Sequence, residues 1–177
     1  MPARAKFVAP FFVVSVLAGL APAPALAQGM TGIATPQARG PTYDPNAEFH
    51  AGIAALGEGH CRAAKVNFQH VLDMIPDQPV ALSMLAQCEV TLGDLHGAAR
   101  DFEASLKYDP KQIIPARDLA ITDEKLGRHD RAQAQLEKLK ARAAACNDTC
   151  ADAGDLDGAV RDVEAAMTPA APKTPPG

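Results

Sequence analysis

Residues 54–76 read AALGEGHCRAAKVNFQHVLDMIP. From Ala64 onward the apolar side chains Phe68, Val71, Leu72 and Ile75 fall four, seven, eight and eleven positions later, which is one stripe of an α-helix rather than the alternation of a strand. Pro76 ends that stripe, because proline supplies no amide hydrogen and its ring clashes with the preceding turn. Gly59 stands just before the stripe begins, where an earlier helix has to stop and reverse, a position glycine fills without steric cost. The stretch therefore predicts a short helix–turn–helix.

The same features return along the chain. Gly59, Gly93 and Gly127 are spaced 34 residues apart, as are Ala64, Ala98 and Ala132, and Phe68, Phe102 and Leu136. Pro76 and Pro110 share that spacing, and so do the small residues Gly52, Ala86 and Ala120. Helix pairs of this kind cannot bury their apolar faces singly, so three stacked copies are expected to form one continuous core.

Period and residue set together resemble the tetratricopeptide repeat, TPR. The likeness covers residues 45–146, divided near 45–78, 79–112 and 113–146. It departs from the family pattern where Glu48, Leu82 and Ala116 stand in place of a bulky aromatic, and where Ala144 replaces a proline. The implied fold is an all-α solenoid of three helix–turn–helix repeats with a C-terminal capping helix. That cap is expected in residues 147–167, because Gly154 to Ala165 echo Gly93 to Ala104 at an offset of 61 residues. Two full periods would need seven residues more, and they are missing where a fourth first helix should lie.

The two ends of the chain read differently. Residues 1–27 carry Arg4 and Lys6, an apolar run from Phe7 to about Leu20, and Ala25-Leu26-Ala27, the pattern of a secretory signal peptide cleaved after Ala27. The apolar run is too short for a membrane anchor, which needs roughly 20 residues. Residues 28–44 read as a Gly/Pro-rich leader and residues 168–177 as a proline-rich tail. The whole chain has a formal charge of -4, and removal of the signal takes it to -6. An acidic chain without a basic stripe argues against nucleic acid as a partner. The expected location is the periplasm, or alternatively the extracellular space, and the alanine- and proline-rich signal resembles periplasmic TPR proteins of alphaproteobacteria.

Cys146 and Cys150 are tested in three ways. A redox dithiol favours C-x-x-C at a helix N-terminus, whereas this spacing is one residue longer, the first cysteine closes a helix, and Asp148 and Asp152 stand nearby. A metal needs about four ligands, and no histidine is local. A disulfide closing the Asn147-Asp148-Thr149 turn suits an exported protein and stabilises by about 2 kcal/mol. Cys61 and Cys88 fall on adjacent expected helices, offset axially by roughly 9 Å. A disulfide wants Cα atoms within about 7 Å, so a bridge and two buried thiols both stand open.

What the TPR resemblance implies about function lies on the first helices, which line a concave groove in that family. The corresponding residues are Asn46, Phe49 and Ile53, then Met84 and Gln87, then Arg117, Ile121 and Lys125. Phe49 and Ile53 occupy positions where a carboxylate-clamping TPR carries Lys and Asn, so that clamp is absent. A partly apolar trough for a protein or peptide partner is expected, although Phe49, Ile53, Met84 and Ile121 equally suit packing between repeats. No paired carboxylates, nucleophile elbow or phosphate loop occurs; Gly57 and Gly59 follow no strand. The expectation is a non-catalytic interaction module with no cofactor or metal. The alternative is a maturation factor handling thiols, metal or haem for exported proteins.

Overall fold

The computed structural model of the protein describes residues 43–147 and 149–168. The expected signal peptide, nearly all of the leader and most of the tail lie outside the described residues. Among the described residues there are seven helices and no strand: α1 (Pro45–Gly57), α2 (Cys61–Met74), α3 (Pro79–Leu92), α4 (Leu95–Tyr108), α5 (Ile113–Lys125), α6 (His129–Cys146) and α7 (Ala153–Met167). Helices α1 and α2, α3 and α4, and α5 and α6 pack as pairs; α2 meets α3 and α4 meets α5 to join one pair to the next. Helix α7 lies on both α5 and α6.

The turn glycines adopt the conformation that their position demands. Gly59, Gly93 and Gly127 have φ of 76°, 86° and 72°, a left-handed region that costs an L side chain and suits glycine. Helix starts are fixed by a capping side chain in three cases, joined by proline in two of them. Asp44 accepts from the Asn46 amide ahead of Pro45, Gln78 from the Ala81 amide ahead of Pro79, and Asp94 from the Gly97 amide. Each satisfies a donor that the first helical turn leaves free.

Apolar burial divides into three clusters along the stack. Phe68, Ala64, Val71, Leu85 and both Cys61 and Cys88 form the first. Phe102, Ala86, Ala98 and Leu119 form the second. Leu136, Leu139, Ala116, Leu156 and Val163 form the third, so α7 covers the end of the third repeat. The stripe expected on α2 is present at Ala64, Phe68 and Val71, while Ile75 departs from it: the helix ends at Met74, and Ile75 sits beyond it and is exposed.

Where the small residues were expected, helices approach closely. A Cβ at Gly52 would stand 2.7 Å from Phe68 Cε1, so the bare backbone of α1 rests directly on the Phe68 ring. Polar groups also tie the two helices of a repeat together. Ser105 Oγ, fully buried, donates to the Pro79 carbonyl at 2.8 Å and accepts from Gln112 Nε2 at 3.0 Å. Asp123 is wholly buried and faces Arg128 at 3.2 Å and Arg131 at 3.4 Å.

Candidate functional site

Two neighbouring cavities open along the first helices of the second and third repeats. One, of about 420 Å³, lies between α3 and α5, where Gln87, Val90 and Thr91 face Ile114, Arg117, Ile121 and Lys125. The other, of about 480 Å³, lies between the start of α5 and α7, where Lys111, Ile114 and Arg117 face Gly154, Asp155, Gly158 and Asp162. Ile114 and Arg117 line both. The result is a trough whose far wall is the capping helix, and Gly154 and Gly158 keep that wall low.

Helical spacing explains the lining of α5. Ile114, Arg117, Ile121 and Lys125 are separated by three, four and four residues, which sets them on one face. The opposite face of α5 carries Ala116, Leu119 and Ala120 into the core. Ile114 is 52 % exposed, an uncovered apolar side chain at the junction of the two cavities.

Arg117 is held across the trough. Its Nε donates to Asp118 at 2.8 Å and its Nη1 to Asp162 of α7 at 3.3 Å. The hydrogen bond to Asp118, outweighing partial burial, raises the guanidinium above its ordinary pKa. Arg117 therefore stays charged and positions α7 relative to α5. Lys125 makes no ion pair among the described residues and stands exposed at the other end.

Of the residues anticipated for the groove, Gln87, Arg117, Ile121 and Lys125 come together in the α3–α5 cavity. Asn46, Phe49, Ile53 and Met84 line neither cavity. Phe49 and Met84 pack instead against the first core cluster, and the Phe49 ring meets Phe68 edge to face at 6.0 Å. Asn46 and Ile53 are exposed on α1. Ile114 was missed, although the 34-residue period places it two copies after Asn46. The wall supplied by α7 had no such signal, because the missing seven residues break the register.

The cysteines fall into two environments. Cys146 ends α6 and is buried in the third cluster, Cys150 is exposed, and their sulfurs lie against one another with Cα atoms 5.4 Å apart. The Cys150 amide donates to Cys146 Sγ at 3.2 Å, and Thr149 Oγ1 donates to the Cys146 carbonyl at 2.7 Å. Asn147 adopts φ 47°, left-handed, a conformation asparagine tolerates. Cys61 and Cys88 are unbridged thiols, both buried. Burial, with the Cys61 thiol beside it, pushes Cys88 up to about 12, so it is a packing group and a poor nucleophile.

No protein-family model matches the sequence, and no curated protein matches it. Solved structures do resemble the chain. One is the TPR2B-domain:pHsp70 complex of yeast Sti1, with a TM-score of 0.58 at 14% identity over 68% of this chain and 96% of that one. Another is the Sgt2 TPR domain from Aspergillus fumigatus, with a TM-score of 0.57 at 20% identity over 81% of this chain and 96% of that one. At these identities the likeness establishes the fold, an all-α helical-repeat solenoid of the TPR kind.

Proposed function

We propose that the chain is a non-catalytic protein-interaction module of the bacterial cell envelope, exported by its N-terminal signal and acting in the periplasm. A partner segment lies in the trough formed by α3, α5 and α7. The observation that carries this reading is the pair of adjoining cavities that share Ile114 and Arg117. Apolar side chains at Val90, Ile114 and Ile121 give contact area, and Gln87, Arg117 and Lys125 at the rims give orientation, the mixture expected of a groove for a peptide segment. The neighbour from yeast Sti1 is a complex with pHsp70, which supports use of this fold for holding a protein partner.

Ile114→Asp is the decisive variant. The residue is exposed and lies in the first turn of α5, where an acid suits the helix dipole, so the fold should tolerate it. Capture of a partner from envelope extract should fall about tenfold or more, since a charge is placed at the centre of the contact. Undiminished capture with unchanged helicity would place the partner elsewhere.

A second reading, maturation of exported proteins through thiols or metal, has one observation in its favour. The Cys146 and Cys150 sulfurs and a carboxylate oxygen of Asp152 lie within 4.8 Å of one another. We favour a disulfide for the pair, which leaves the sulfurs unable to ligate. Thiol titration of the purified protein decides: unreactive sulfurs at 146 and 150 support the staple, and an exchangeable pair supports the second reading.

A further inference from the structure

Behind the trough wall, Glu89 of α3 is 4 % exposed, and its two carboxylate oxygens are provided for unequally. Oε1 accepts from Lys65 Nζ of α2 at 2.6 Å. Oε2 has no hydrogen-bond partner and points at α4, where a Cβ at Gly97 would stand 2.8 Å from it. A buried carboxylate oxygen without a donor is unfavourable, and the remedy is a proton. Asp101 lies four residues after Gly97, hence on the same face of α4, and it is half-buried. A protonated Asp101 would supply the missing donor.

We propose that Glu89 and Asp101 share one proton across the α3–α4 interface, and that its loss loosens the trough wall and makes partner binding pH-dependent. The binding half of this proposal rests on the trough being the partner site. The link to the trough is direct in sequence: Gln87, Val90 and Phe102, which line the α3–α5 cavity, are two residues and one residue from Glu89 and next to Asp101 respectively.

The surrounding charges do not displace the proton. Lys65 of α2 is bound to Glu89, and Arg100 of α4 acts to lower Asp101. Asp94, in the α3–α4 turn, spends one oxygen on the Gly97 amide at 2.8 Å and adds negative charge. From α5 and α6, Asp123 is bound to Arg128 and Arg131, and Arg131 also to Glu103 of α4. Burial first, then the negative charge of Glu89 beside it, raise Asp101 from the ordinary carboxylate range to about 6. A carboxyl group whose pKa is higher in the folded than in the unfolded chain stabilises the fold at low pH, and that stabilisation is lost as pH rises through about 6. Above it, two carboxylates stand side by side, with Lys65 and Arg100 as the cations nearby.

The test uses the purified full chain and its Asp101→Asn variant, whose amide can donate to Glu89 at any pH. For the wild type, the thermal midpoint should fall between about pH 4 and about pH 6.5, and carboxyl NMR should show Asp101 titrating near pH 6. Over the same interval, amides of residues 87–91 should lose about tenfold in hydrogen-exchange protection after correction for intrinsic rates. Asp101→Asn should remove most of the midpoint shift and the loss of protection. An Asp101 titration near pH 4, or an equal midpoint shift in the variant, would overturn the shared proton. If these readouts hold while Ile114→Asp leaves partner capture intact, the proton pair stands and the trough reading fails. If Ile114→Asp abolishes capture while Asp101→Asn changes nothing, the trough stands and the proton pair fails.

Discussion

At Gly52 two opposing effects meet on one residue. Alanine in a helix interior is favoured over glycine by about 1 kcal/mol. Here, however, the added carbon would sit 2.7 Å from Cε1 and 2.9 Å from Cζ of Phe68, whose ring has no exposed surface. Overpacking of that kind costs about 1 to 3 kcal/mol, and the ring has nowhere to retreat, so Gly52→Ala is expected to lower the unfolding midpoint in urea. Adding Phe68→Leu should recover part of the loss, and a Gly52→Ala variant more stable than the wild type would contradict the contact. This position was legible in the sequence because the period marked it as small in three copies. The trough residues were legible only in part. Phe49 and Met84 carry the same apolar signal whether they line a groove or a core, and the choice is made by the first core cluster, against which both pack. Ser105 was not legible at all, because its partners, Pro79 and Gln112, are 26 and seven residues away. Ser105→Ala leaves Gln112 Nε2 without that acceptor and should cost about 1 to 3 kcal/mol, measurable as a lower midpoint.

Helix lengths follow from where proline stands. α2 and α4 each run 14 residues and stop just short of Pro76 and Pro110. The corresponding position in the third repeat is Ala144, and α6 continues through it for 18 residues to Cys146. That extension carries Cys146 into the third core cluster and delays the next helix, which begins at Ala153. α7 folds back from there with Leu156, Ala159 and Val163 buried. The echo of α4 in its sequence revealed a helix; its position against both α5 and α6 depends on the shortened connection, which no periodic signal encodes. If Cys146 and Cys150 are bridged, replacing both by serine should cost about 2 kcal/mol from the small loop alone. The apolar face of α7 would still hold the helix in place, so helicity should persist while the midpoint falls. A double variant as stable as the wild type in the absence of reductant would mean that the turn is fixed by Asn147 and Thr149 without the bond.

Along the whole stack, each core cluster draws on neighbouring helices, and none spans the molecule. Stability in such a fold is close to a sum over repeats and the interfaces between them. The two described ends then differ in kind. At the far end α7 covers Leu136 and Leu139, whereas α1 buries only Gly52 and is tied down by Phe49 on Phe68, the Glu48 to His70 contact at 3.0 Å and the stacking of Tyr43 on His70. Hydrogen exchange should therefore show a gradient, with α1 least protected, α3 to α5 most protected, and α7 between them. Leu156→Ala should sharpen the contrast by opening a cavity under the cap: a cost of about 2 to 5 kcal/mol, felt chiefly in α5, α6 and α7. Equal loss of protection in α1 would show that the three clusters unfold as one unit, and the repeat-by-repeat description of this molecule would have to be abandoned.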